Sequence, residues 1–173
     1  MNTYSRDVFD FPNPVNEKAA RSVAAGVVVL CVATIALTLG VGRGWLWLTV
    51  VLAYGFVARV ATGPRLSPLG QLATRVIAPR LGASRPVPGP PKRFAQAIGA
   101  TLSVAAAIVG VGFGLDTAAL VLVAMILVAA VLESVFAICL GCSIFAQLMR
   151  LGLIPEETCE ACNNIQARLE AAA

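Results

Sequence analysis

Between Ser22 and Gly40 the chain runs SVAAGVVVLCVATIALTLG without a single charge. A helix rises about 1.5 Å per residue, so a stretch of this length crosses the ~30 Å hydrocarbon core of a bilayer. Three more stretches have the same character, from Trp45 to Thr62, from Phe94 to Leu115 and from Thr117 to Leu140. Bare loops and open sheet edges do not survive in hydrocarbon, where unpaired backbone groups find no water. The chain is therefore expected to be all-α, a four-transmembrane-helix bundle in contact with the lipid bilayer. Composition agrees, since 58% apolar residues against 13% charged and a mean hydropathy of +0.84 lie outside the range of water-soluble domains.

Taken in order, residues 1–17 are a polar arm, with Asn16 as N-cap and Glu17 in the first turn of span one. The arm has no apolar core or cleavage pattern, so the first span is expected to act as the targeting signal. Residues 18–85 form a first hairpin followed by a surface helix. Its Gly42, Arg43 and Gly44 make the turn, and Trp45 and Trp47 favour the headgroup level. Leu66, Leu69, Leu72, Val76 and Ile77 recur near helical spacing, which predicts an amphipathic helix over 66–78. Residues 86–93, with the Pro86 to Pro91 run, predict a stiff extended linker. Residues 94–155 repeat the hairpin and end in a second surface helix over 143–153. Residues 156–173 form an acidic, Cys-containing tail.

The central segment holds Arg65, Arg75, Arg80, Arg85, Lys92 and Arg93 and no acid, whereas the first turn has one cation and the third none. The positive-inside rule puts this segment, both termini and both late cysteine pairs in the cytoplasm of a multi-pass protein of the inner (plasma) membrane. A net charge of +4 concentrated in one loop does not make a nucleic-acid-reading face. The absence of histidine removes every mechanism built on imidazole.

A shift of seventy-six residues lays TGPRLSPLGQLATRVIAP over ICLGCSIFAQLMRLGLIP, matching Ser67 with Ser143, Gln71 with Gln147, Leu72 with Leu148 and Pro79 with Pro155. Each half has the same order of parts, so two tandem hairpins are expected to point the same way across the membrane. This register puts Cys139 and Cys142 over Gly63 and Leu66. It also puts Arg59 and Glu133 at similar depth, and an ion pair between them would neutralise two charges that are costly in hydrocarbon; the alternative is that Arg59 snorkels to the interface while Glu133 is protonated or pairs with a basic residue of the inner surface. They are too few to line an ion route.

Four of the five cysteines lie between residues 139 and 162; Cys31, in the middle of span one, is a small packing residue. Three roles are open for the four. Cys139 and Cys142 are spaced to close a disulfide, which suits thiol-redox or sulfur-transfer chemistry in which one attacks and the other resolves. Alternatively, Cys139, Cys142, Cys159 and Cys162 have the C-x2-C-x16-C-x2-C spacing of a four-thiolate site, in a non-enzymatic membrane subunit holding zinc or an iron–sulfur cluster. The third role is inert packing. The spacing alone does not choose, and it names no enzyme class.

The runs RLSPLGQLATRVIAPRLG, VPGPPKRFAQAIG and ESVFAICLGCSIFAQLMRLGLIPEETCEAC resemble domain-of-unknown-function family 4395, small bacterial membrane proteins with a CLGC element. The resemblance extends from about Asn16 to Cys162. It implies a polytopic helical fold and an association with thioredoxin-like or sulfurtransferase partners, alone or as a complex subunit. It brings no established activity.

Overall fold

A computed structural model describes residues 11–154 of the chain. Helix α1 spans Glu17–Gly40, and Asn16 caps it as expected, its Oδ1 accepting from the Lys18 N–H at 3.0 Å. A 3-10 turn, Arg43–Trp47, leads into α2, Leu48–Thr62. The surface helix α3 runs through Pro68–Leu72, a π-turn at Ala73–Ile77, and Ala78–Arg80. Helix α4, Gly89–Ala107, continues into a π-turn at Ile108–Gly112, α5 spans Asp116–Phe136 and α6 spans Leu140–Arg150. Four of these units are long and apolar enough to cross a membrane: Glu17–Gly40, Arg43–Thr62, Gly89–Gly112 and Asp116–Phe136. The protein is an all-α membrane protein.

Of the boundaries that differ from expectation, two have a clear physical reason. The Pro86–Pro91 run is not one extended linker. Only Pro86–Val87 is extended, pairing antiparallel with Val15–Asn16, and α4 already begins at Gly89. Proline is tolerated in the first helical turn, where its missing N–H has no partner to lose, so Pro90 and Pro91 start the helix instead of delaying it. The second surface helix begins at Leu140, not 143, because α5 ends abruptly three residues before it.

The hairpins interlock. Helix α2 packs chiefly on α4 and α1 chiefly on α5, whereas α1 and α2, sequence neighbours, share a much smaller contact. The core between them contains Val27, Cys31, Leu52, Phe56, Val123 and Ile126. Gly99 on α4 allows the closest approach, since a Cβ there would run into the Phe56 ring. At one end of the bundle α3 is inserted beside α1, with Leu69 filling the space that Gly26 leaves. Buried hydroxyls donate back along their own helices, as Thr34 does to the Leu30 carbonyl (2.7 Å) and Ser103 to that of Gly99 (2.7 Å). Such bonds satisfy a polar group that lipid cannot. Val29, Val121 and Val128 are more than half exposed, as a lipid-facing surface allows.

The last carbonyls of a helix have no partner within it. Here cations from other elements supply one at the end of the bundle that carries α3 and α6. Lys18 Nζ donates to the Leu81 carbonyl at 2.6 Å, Arg93 Nε to that of Val60 at 3.0 Å, and Arg21 to those of Ser134 and Val135 at 3.0 and 3.2 Å. Positive charge at a helix C-terminus also complements the helix dipole. At the opposite end, Arg43 and Asp116 join the two short turns at 3.4 Å, an exposed pair of little energetic weight.

Candidate functional site

Helix α5 stops at Ala137, which adopts the left-handed conformation at φ 58°. The Ala137 and Ile138 N–H groups both turn back to the Leu132 carbonyl. This reverses the chain within three residues and leaves Cys139 as the N-cap of α6, at φ −96° and ψ 103°. The N-cap of α3, Ser67, has nearly the same conformation, φ −90° and ψ 118°, and its Oγ accepts from the Gly70 N–H at 3.2 Å.

The structural equivalent of Cys139 is therefore Ser67, not Gly63, and three residues further on Cys142 stands where the first half has Gly70. The expected pairing of Ser67 with Ser143 does not hold, because the connection from Gly63 to Ser67 is longer than that from Ala137 to Cys139. Ser143 lies inside α6 and donates to the Cys139 carbonyl at 3.3 Å.

Two contacts seat α6 on the first turns of α4. Gly141 lies against Ala95, where a Cβ would come within 2.5 Å of the Ala95 Cα, and the Phe94 and Phe145 rings meet at a tilt with their centres 5.6 Å apart. The glycine of CLGC is thus the point of closest approach, and its first consequence is to bring the thiols beside Lys92. Lys92 Nζ and Glu133 Oε1 form an ion pair at 2.7 Å, with side chains only 12% and 14% exposed.

The Arg59–Glu133 pair expected from the repeat is not formed. Arg59, 5% exposed, instead donates from Nε to Gln96 Oε1 at 2.8 Å and from Nη1 to Ser67 Oγ at 3.2 Å, and its guanidinium lies 4.5 Å from the Phe56 ring centre. In the sequence Lys92 reads as one of six loop cations in the Pro-rich segment, with nothing to single it out as the partner of Glu133. The signal that finds it is helical register, since a helix starting at Gly89 puts Lys92 in its first turn.

The two thiols are electrostatically unequal. Hydrogen bonding from the Cys142 thiol is the strongest influence on Cys139; burial and Glu133 oppose it, while Lys92 and the Cys142 backbone N–H assist, and the Cys139 pKa falls to about 7. The same contact with Cys139, reinforced by burial and by the Cys139 charge, pushes Cys142 up. Sulfur is a weak acceptor, so Cys139 makes no ordinary side-chain cap bond of the kind Ser67 makes. Both thiols are free and partly exposed.

Cys139 also lines a cavity of about 250 Å³ between α1, α2, α4, α5 and α6. Its walls are almost wholly apolar; Gln96 and Glu133 supply the polar groups besides the thiol. Among the described residues, no three His, Cys, Asp or Glu side chains come together as metal ligands. Cys159 and Cys162, the second half of the four-thiolate spacing, lie outside the described residues.

The fold and this elbow define a class, a polytopic membrane protein with a Cys-x-x-Cys pair heading a surface helix. More particularly, the chain belongs to the family described as "Domain of unknown function (DUF4395)", whose model matches residues 15–150. No curated protein and no solved structure is a match.

Proposed function

We propose that the chain is a membrane-bound thiol-redox or sulfur-transfer component in which Cys139 attacks and Cys142 resolves. The supporting observation is the placement of the pair: Cys139 is the N-cap of α6 with Cys142 in the first turn, both thiols are free and partly exposed, and their mutual contact lowers the Cys139 thiol while it raises Cys142. A thiol that is substantially thiolate at neutral pH is the form that reacts with a disulfide.

In exchange, the Cys139 thiolate attacks one sulfur of a partner's disulfide, forming a mixed disulfide and releasing the other sulfur as thiolate. Cys142 then gives its proton to that thiolate through solvent and attacks the Cys139 sulfur. The intramolecular disulfide forms, the mixed one breaks, and the partner leaves reduced by two electrons. Run backwards, the same steps oxidise a partner dithiol. In the sulfur-transfer variant, Cys139 takes the outer sulfur of a donor persulfide and the donor departs as a thiolate. A thioredoxin-like or sulfurtransferase protein supplies either partner chemistry. The excess of Lys and Arg in the segment between the hairpins argues for a cytoplasm-facing site.

Glutathione disulfide is a sufficient probe. Cys142→Ser should accumulate a glutathione adduct on Cys139 by mass spectrometry, wild type should pass on to the internal disulfide, and Cys139→Ser should form neither at comparable rate. Equal exchange by the double serine variant would remove the proposal.

A further inference from the structure

We propose that the cavity lined by Cys139 binds the ring of a lipid-soluble quinone, which takes two electrons from the Cys139–Cys142 pair. This rests on the thiol reading above and names the partner on the membrane side.

Access comes first. The cavity lies among membrane-spanning helices, and its lining includes Met125, Leu140 and Ile144, apolar side chains 53%, 41% and 45% exposed. An apolar rim on a lipid-facing surface admits a ligand from the bilayer and offers a water-soluble one nothing. Polarity follows the same axis. Gln96, Glu133 and Cys139 gather toward one end, while Val27, Leu102 and Ile126 supply apolar wall. Gln96 gives its Oε1 to Arg59, which leaves its amide N–H groups as donors for a ligand carbonyl. A flat apolar ring carrying oxygen acceptors matches that arrangement, and about 250 Å³ suits a single ring head whose tail stays in lipid.

The chemistry makes the third argument. A simple acyl chain fits apolar walls equally well but accepts no electrons from a dithiol, whereas a quinone accepts two electrons and two protons. The Cys139 thiolate adds to a ring carbon; a C–S bond forms, and the ring oxygen takes a proton from solvent, equal to the one Cys139 lost on ionising. Cys142 then attacks the Cys139 sulfur. The S–S bond forms, the C–S bond breaks with its electron pair returning to the ring, and the Cys142 proton goes to the second ring oxygen. The pair ends as a disulfide and the quinone as a quinol, and a partner dithiol reduces the pair again.

The test uses the full chain in lipid vesicles, reduced, freed of reductant and mixed anaerobically with a decyl-tailed benzoquinone. Wild type should yield one quinol per Cys139–Cys142 disulfide formed. Ala129 lines the cavity on α5, one turn before Glu133, and belongs to neither thiol's chain segment, so Ala129→Leu and Ala129→Phe should slow quinol formation in order of size, with about tenfold loss for Phe, while exchange with glutathione disulfide is kept. Retained exchange also reports that each variant is folded. Exchange without any quinol in wild type overturns the quinone site and leaves the thiol reading standing. Loss of both activities in wild type overturns both. Quinol formation unaffected by Ala129→Phe overturns the cavity as its place.

Discussion

Removing the Cys142 thiol should weaken Cys139 as a nucleophile at neutral pH and strengthen it at high pH. Cys139 is lowered from an ordinary 9.0 to about 7 chiefly by hydrogen bonding from Cys142. In Cys142→Ala that donor is gone, while burial and Glu133 still raise the pKa and only Lys92 and the backbone N–H lower it. A return to at least 9.0 is therefore expected. At pH 7 the thiolate fraction then drops from about one half to about 1%. The less acidic thiolate is intrinsically more nucleophilic, by about eightfold for a Brønsted slope near 0.45, so the net loss in rate is about sixfold. Near pH 10, where both forms are mostly ionised, the order inverts and the variant reacts several-fold faster. Iodoacetamide alkylation followed by site-resolved mass spectrometry measures both arms and separates Cys139 from the other cysteines. Superimposable pH profiles for wild type and Cys142→Ala would refute the reasoning, as would faster alkylation of Cys142 than of Cys139 in wild type.

Other perturbations test the surroundings of the pair. Lys92→Met should shift the alkylation midpoint of Cys139 upward and Glu133→Gln downward, because the first removes a charge that favours the thiolate and the second one that opposes it; two shifts of the same sign would contradict this electrostatic picture. Gly141→Ala should push α6 off Ala95, costing about 1–3 kcal/mol in thermal unfolding and changing the rate of Cys139 alkylation. Arg21→Ala should leave the Ser134 and Val135 carbonyls unpaired and destabilise the protein by about 1.5–3 kcal/mol, whereas a surface role would cost almost nothing. Ala137→Gly should raise the melting temperature, since a left-handed residue with a Cβ is strained by about 1 kcal/mol; an unchanged or lower melting temperature would count against that strain.

The four spans were legible because crossing a bilayer demands apolar length, and residues such as those from Ser22 to Gly40 serve no other purpose as well. The elbow was half legible. The Cys139–Cys142 spacing marked a pair, but the N-cap role of Cys139 depends on Ala137 adopting a left-handed conformation, which neither composition nor periodicity signals at an alanine. Ser67, expected inside the 66–78 helix, is instead its N-cap, with Pro68 opening the helix, and the second half has no proline after its cap.

Arg59 is the expected partner for Glu133 because the repeat puts the two at similar depth. With the Pro86–Pro91 run read as a linker, Lys92 stands outside any helix, among the loop cations. With Pro90 and Pro91 as helix-starting residues, Lys92 falls one turn inside α4 and reaches the carboxylate. A boundary error of five residues therefore hid the cation that meets Glu133.

The small contact between α1 and α2 bears on how the polypeptide is assembled. Each member of the first hairpin finds its main neighbour in the second, so residues 11–81 synthesised alone form two crossings with nothing to clasp. Severed between residues 82 and 85, the two fragments should be unstable separately and recover the cooperative thermal unfolding of the intact chain only when produced together. The early half would wait in the bilayer for the late half, and the reactive thiol would become available only after the last crossing has been threaded.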